Sequence, residues 1–191
     1  MSFLEDARQY TPATGRERAE QRVLLEWAER FPDSILYREN TLAHMTFSAM
    51  IFDPAMQQTL MVFHNLYRSW SWTGGHADGD PDGLAVARRE AEEESGICGL
   101  VPLCTRPTGL DILPVTGHAK RGVWVPAHLH LNLCYSFWAD PALPLHSRPE
   151  ENSGARWLPL VQLEHFVSEP AMLPIYRRIV QRSRQLCAKS N

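Results

Sequence analysis

Three carboxylates, Glu90, Glu93 and Glu94, stand at i, i+3 and i+4 within the segment GGHADGDPDGLAVARREAEEESGI, residues 74–97. On a helix this spacing puts all three on one face. Like charges so placed repel by about 0.2–0.5 kcal/mol per pair, so the face costs stability unless a cation or solvent compensates. A hard divalent cation is the matching partner, because Mg²⁺ takes oxygen ligands from a few carboxylates, waters and substrate phosphates. An isolated acidic run is ordinarily a solvated helix face. Here the run follows Gly74-Gly75 and is closed by Gly96 and Ile97. A double glycine permits a backbone path that brings a carbonyl or an N–H against a metal or a phosphate. Arg89 precedes the cluster and is spaced to pair with Glu93 four residues on.

The same stretch resembles the Nudix box, G-x5-E-x7-R-E-U-x-E-E-x-G-U, where U is aliphatic. Gly75 supplies the first glycine, Arg89-Glu90 the RE pair, Ala91 a small U residue, Glu93-Glu94 the paired acids, and Gly96 and Ile97 the close. Pro81 stands where the family has its first glutamate, a residue that supports loop and helix geometry more than it binds metal. The resemblance therefore implies reduced rather than abolished activity. It implies an α/β fold of the Nudix type, an α/β/α sandwich with a mixed β-sheet. It also implies a Mg²⁺-dependent hydrolase, with Mn²⁺ as a substitute, that cleaves the pyrophosphate bond of a nucleoside diphosphate derivative or similar small molecule. The carried-over metal ligands are Glu90, Glu93, Glu94 and the Gly74 carbonyl, with Arg89 orienting the glutamates. An acid outside the box often completes such a site, and Glu150 or Glu151 fits, Glu151 being taken here. A solvated turn explains that pair equally well.

Further residues carry weaker signals. His128 and His130 lie two apart in a β-prone segment and share one side of a strand. Same-face histidines can ligate a transition metal, but the sequence assigns no third ligand, so substrate contact or a plain sheet face is the reading. His118, Lys120 and Arg121 sit in GHAKRG, where Lys120 and Arg121 could hold phosphate or form an ordinary charged loop. His76 follows the double glycine and is placed to approach the site.

The elements that must position these groups follow from patterning. Residues 15–30 carry Val23, Leu24, Trp27 and Ala28 at helical spacing and stop at Pro32. Strands are expected over 44–52 and 59–64, with a turn at Asp53-Pro54, and a short strand over 69–73 runs into the glycines. After a loop over 76–80, a helix is expected over 81–95, with Asp80 as N-cap, Pro81 in the first turn, and Leu84, Ala87 and Ala91 as its apolar stripe. Gly96 suits a left-handed C-cap. Strands over 98–104, 107–115, 127–139 and 155–158 and a helix over 172–187 complete a mixed sheet covered by helices. One domain over 1–191 is expected, with a core of about 42–166 and helical extensions 1–41 and 167–191.

Composition is that of a globular protein: 191 residues, 44% hydrophobic and 21% charged. The net charge of −3 gives no support for nucleic-acid binding, and no apolar run approaches the roughly 20 residues that span a bilayer. The terminal segment from Ala171 has bases and no acid, which reads as a solvated helix face. Cys98, Cys104, Cys134 and Cys187 show no CxxC spacing and read as reduced thiols in a cytoplasmic protein. The expected partner is a small-molecule diphosphate, with neither nucleic acid nor membrane, and a homodimer is left open. Two other functions use the same fold. A nucleotide-binding sensor without hydrolysis would be favoured by loss of a box acid, yet all three helix glutamates are present. An isoprenoid diphosphate isomerase needs a cysteine in an early strand, and none precedes Cys98.

Overall fold

The computed structural model describes residues 2–120 and 122–190. The elements run α1 (Phe3–Gln9), α2 (Gly15–Arg30), β1 (Ala43–Phe52), β2 (Gln58–His64), β3 (Ser69–Ser71), β4 (Thr73–His76), α3 (Gly83–Ser95), β5 (Val101–Pro102), β6 (Gly109–Val115), β7 (His118–Lys120), β8 (Val123–Val125), β9 (His128–Trp138), β10 (Asn152–Pro159), α4 (Leu163–Phe166) and α5 (Met172–Ser190).

β1 is the central strand, buried along its whole length. Burial on both faces gives it a near-continuous run rather than an alternating pattern. It pairs in parallel with β9, which brings His44 opposite His130, Thr46 opposite Asn132 and Ser48 opposite Cys134. Its other edge is shared by β4, opposite Thr46–Ala49, and β2, opposite Ile51 and Phe52, both antiparallel. β6 and β5 share the far edge of β9, and β10 and β3 pair with β2, giving one eight-stranded mixed sheet.

Alternation along β1 and β9 sends side chains to two different layers. Met45, Phe47, Ala49 and Ile51, with Leu131, Leu133, Tyr135 and Phe137, pack on Val86, Ala87 and Ala91 of α3 and on Leu24 and Ala28 of α2. On the opposite face Met50, Phe52 and Cys134 pack on Ile175, Tyr176, Ile179 and Val180 of α5. Each large apolar side chain so buried contributes about 1.5–3 kcal/mol. The result is the α/β/α arrangement expected from the sequence. Towards the N-terminal end of β1 the second face becomes polar, with His44, Thr46, Ser48, His130 and Asn132 in one row. Thr46 and Ser48 both donate to Asn132 Oδ1, at 3.0 and 2.8 Å.

Several local expectations change. α1 has no counterpart in the sequence reading; its Asp6 is buried and accepts from Tyr135 Oη at 2.8 Å and Arg106 at 3.0 Å. α2 has the expected bounds, held by a Thr14–Glu17 capping box, but Val23 faces solvent and only Leu24 and Ala28 of the proposed stripe are buried. Gly74 and Gly75 lie in a strand rather than a loop, because β1 offers them a free edge. α3 begins at Gly83 rather than at Pro81, with Asp82 instead of Asp80 as N-cap: the Asp82 side chain accepts from Ala85 N at 3.1 Å. Asp80 accepts from Asp82 N at 2.9 Å and so shapes the turn ahead of the cap. Val86 joins Ala87 and Ala91 in the buried stripe, with Leu84 at its margin. Only Val101 and Pro102 of 98–104 are strand. His118–Lys120 of GHAKRG form β7 rather than a loop and pair with β8, and Gly122 has a φ of +80°. The four cysteines are free. Among the described residues, no helix is long and apolar enough to cross a membrane.

Candidate active site

The site forms where β4 lies beside α3. Helix spacing carries Glu90 and Glu94 inward and leaves Glu93 on the rim. Glu94 is buried and accepts from Gly74 N at 3.1 Å. Burial pushes its carboxyl up to about 8; the Gly74 N–H opposes the rise, while the charges of Glu151 and Glu90 add to it. Burial, and then the Glu93 charge, also raise Glu90 above the ordinary carboxylate range. Gly96 closes the helix with φ of +70°, as its sequence position predicts.

The two glycines are required for different reasons. A Cβ on Gly74 would stand 2.7 Å from the Phe47 carbonyl oxygen and 2.8 Å from Ser48 Cα, both backbone atoms of β1. A Cβ on Gly75 would stand 2.3 Å from Cδ of Glu90, the far end of a flexible side chain. Gly74→Ala is therefore expected to lower the melting temperature by disrupting the β4–β1 pair. Gly75→Ala is expected to leave the fold near wild type and to displace the Glu90 carboxylate, lowering turnover. Thermal unfolding and rate, measured on both variants, check the contrast; equal loss of stability in the two would refute it.

The rim differs from the sequence reading. Arg89 does not pair with Glu93: it lies 3.5 Å from Asp80 and 3.8 Å from Glu90. Asp80 thus supplies a carboxylate to Arg89 one residue before Pro81. Glu93 instead pairs with Arg148 at 3.0 Å, and Arg148 reaches Glu151 at 3.4 Å. Arg148 wins because the loop leading into β10 is tied to the end of α3. His146 N donates to Ser95 O at 2.7 Å, and Asn152 Nδ2 donates to Glu94 O at 2.9 Å. Glu151 is thereby brought to the acidic face.

A family model described as the NUDIX domain matches residues 42–182. The chain belongs to the NUDIX family. Among solved structures it is similar to a NUDIX-family hydrolase from Clostridium perfringens, with a TM-score of 0.55 and 17% identity over 75% of this chain and 97% of that one. It is also similar to a MutT protein from Methanosarcina mazei, with a TM-score of 0.51 and 15% identity over 80% and 98% of the two chains. A third is the dihydroneopterin triphosphate pyrophosphohydrolase of E. coli, with a TM-score of 0.51 and 15% identity over 72% and 94%. At these identities the likeness is one of fold. No curated protein sequence matches the chain.

Around the NUDIX helix, sequence reasoning missed several residues. Arg38 makes a bidentate pair with Asp78, at 2.8 and 2.6 Å, and that hydrogen bond raises its pKa, with Glu90 and Glu151 close enough to add to the rise. Arg38 and Arg148 come from irregular segments and had no local signal. His44 did have one, a histidine in an otherwise apolar and β-prone run. Its ring lies 5.1 Å from that of His76, 5.0 Å from His128 and 5.3 Å from His130. The structure thus gathers the expected His76, His128 and His130 and supplies the partner that the sequence could not assign. Of the hairpin cations, Lys120 pairs through its backbone with Val123; its side chain and Arg121 lie outside the described residues. The hairpin leaves the sheet after Val115 and returns at His128, beside these imidazoles.

The Glu94 shift has a consequence for the metal-free protein. Its carboxyl binds a proton more tightly folded, at about 8, than unfolded, at the ordinary glutamate value of 4.5. This contribution to stability is fully present below pH 4.5 and is lost as pH rises through 8, by up to about 1.4 kcal/mol per pH unit. Denaturant unfolding without divalent ions is expected to show this decline between pH 5 and 8, and Glu94→Gln is expected to flatten it. A decline of equal slope in the variant would assign it to other groups.

Proposed function

We propose that this NUDIX chain hydrolyses the pyrophosphate bond of a nucleoside diphosphate derivative or a similar small diphosphate, with Mg²⁺ held by Glu90, Glu93, Glu94, Glu151 and the Gly74 carbonyl. One observation carries the reading. Two carboxylates, Glu90 and Glu94, are withdrawn from water against a glycine strand, with Glu93 and Glu151 on the adjoining rim. Such a cluster is costly for a structural purpose and suits a hard dication, since every donor is an oxygen. When bound, Mg²⁺ neutralises pyrophosphate oxygens and acidifies water.

The chain's own groups account for the rest. Arg89, fixed by Asp80, orients Glu90 from outside the acidic face. Glu94 holds a proton at neutral pH in the metal-free state and would have to give it up to serve as a ligand, so ion affinity is expected to rise with pH. Arg148 restrains Glu93 and Glu151 and, were those acids to act as ligands, its guanidinium would be available to bind a substrate phosphate in bidentate fashion. A glutamate of the cluster accepts a proton from the attacking water, and attack proceeds in line at phosphorus. Lys120 and Arg121, which the sequence offers as cations, and His128, where the chain rejoins the sheet, supply contacts to the substrate.

The test is a screen of nucleoside diphosphate derivatives with Mg²⁺ that identifies the phosphate-bearing products. Hydrolysis is expected to need Mg²⁺ or Mn²⁺ and to cease on chelation. Turnover that survives exhaustive chelation would reject the mechanism.

A further inference from the structure

Outside the acidic helix, four histidines converge at one end of the sheet, from three strands that share no sequence neighbourhood. The parallel β1–β9 register sets His44 opposite His130, and the antiparallel β1–β4 register sets His76 opposite Thr46. His76 and His130 have ring centroids 4.9 Å apart, and one ring nitrogen from each of His44, His76 and His130 lies within 4.8 Å of the other two. We propose that His44, His76 and His130 form a second metal site, for a borderline-soft divalent ion of the zinc class, separate from the carboxylate site on α3.

The tautomers support it. His44 Nδ1 faces the Asn40 carbonyl at 2.9 Å, and a carbonyl only accepts, so Nδ1 carries the hydrogen. The lone pair of the neutral ring is then on Nε2. That atom is buried, in a residue only 4% exposed, and has no hydrogen-bond partner among the described residues. A buried acceptor without a partner is destabilising, and ring packing by itself does not offset that. A metal ion does. An N–H given to a backbone carbonyl is also the usual outer contact of a ligating histidine, since it fixes the tautomer and the ring. His128 repeats the pattern, with Nδ1 on the Pro126 carbonyl at 2.9 Å and Nε2 3.2 Å from His130 Nε2. Ligand nitrogens around tetrahedral zinc stand about 3.3 Å apart, given Zn–N bonds of about 2.0–2.1 Å. Side-chain rotations that draw the nitrogens of His44, His76 and His130 from within 4.8 Å of one another to that spacing would close the three rings on one ion and leave a fourth position, beside which His128 stands.

The chemistry of the two sites sorts their ions. Imidazole nitrogens suit zinc-class ions, whereas an all-oxygen set suits Mg²⁺. Burial, followed by the charges of His76, His44 and His128, lowers His130 to about 2, and burial lowers His44 as well. The nearby cation, Arg38, is neutralised by its bidentate pair with Asp78. A bound ion would tie β1, β4 and β9 together at His76, two residues beyond the glycine that contacts Glu94.

The test uses the full chain, stripped by chelation and titrated with Co²⁺ as a spectroscopic stand-in for Zn²⁺. One equivalent is expected to give intense visible bands of low-coordinate cobalt, displaced by Zn²⁺ and unaffected by millimolar Mg²⁺. The Glu93→Gln and Glu94→Gln variants are expected to keep these bands, whereas His76→Ala and His130→Asn lose them with wild-type circular dichroism. Bands that persist in the histidine variants and vanish in the glutamate variants would overturn the site, as would no stoichiometric binding by the wild type. If the histidine variants fail to fold, zinc-edge X-ray absorption of the loaded wild type decides. Three nitrogen ligands with imidazole outer-shell scattering support the site, and a shell of oxygens alone overturns it.

Discussion

Glu93→Gln and Glu94→Gln are each expected to lower turnover by several orders of magnitude while the metal-free protein stays folded. Amide for carboxylate keeps the volume and removes the charge, so no cavity forms. Each loss weakens the hold on an ion that contributes several kcal/mol to the transition state, and each 1.36 kcal/mol is tenfold in rate. The effects on stability differ by position. Glu94 is buried, and a glutamine oxygen can still accept from Gly74 N, so Glu94→Gln is expected to raise metal-free stability above pH 7. Glu93 is half-exposed and paired with Arg148, an arrangement worth about 0–1 kcal/mol, so Glu93→Gln is expected to leave stability near wild type. Steady-state rates and denaturant melts on the same preparations check this. Unchanged rates with lowered stability would mark the glutamates as a structural face, and the hydrolase reading would fail.

Arg178→Met is expected to destabilise the fold by about 3–5 kcal/mol at pH 7.5, the range found when one member of a buried ion pair is removed. Arg178 of α5 reaches both Asp111 carboxylate oxygens at 2.7 Å and lies 2.9 Å from Glu17 of α2. Both acids are fully buried. Glu17 keeps other donors, the Tyr10 hydroxyl and the Ala13 and Thr14 N–H groups. Asp111 has no other hydrogen bond among those described. Burial pushes Asp111 up to about 6 even with Arg178 opposing the rise. Without the guanidinium its folded pKa rises further above the unfolded value, so the variant regains stability as pH falls and Asp111 takes up a proton. Urea unfolding at pH 7.5 and pH 5 is expected to show a smaller deficit at the lower pH. An equal deficit at both would assign the loss to packing rather than to the stranded carboxylate.

Local chemistry made much of this molecule legible from its sequence. The run from Gly75 to Ile97 carries its own helix, its left-handed stop at Gly96 and the i, i+3, i+4 placement of three acids, because helix geometry depends on near neighbours. α2 was readable for the same reason, from its apolar spacing and Pro32. The failures share the opposite property. α1 is too short to signal itself and is held by Tyr135 and Arg106, far along the chain. Gly74-Gly75 reads as a loop until the edge of β1 makes it a strand. Arg148 displaces Arg89 at Glu93 only because Asn152 and His146 dock on the end of α3. The imidazole cluster depends on the register of β1 with both β9 and β4. Strand register is chosen by the fit of whole faces, and a buried strand such as β1 lacks the alternation that would announce it. Sequence alone therefore determined the acidic helix and the family resemblance it carries, whereas the partners of that helix and the meeting of His44, His76 and His130 were decided by tertiary pairing between distant segments.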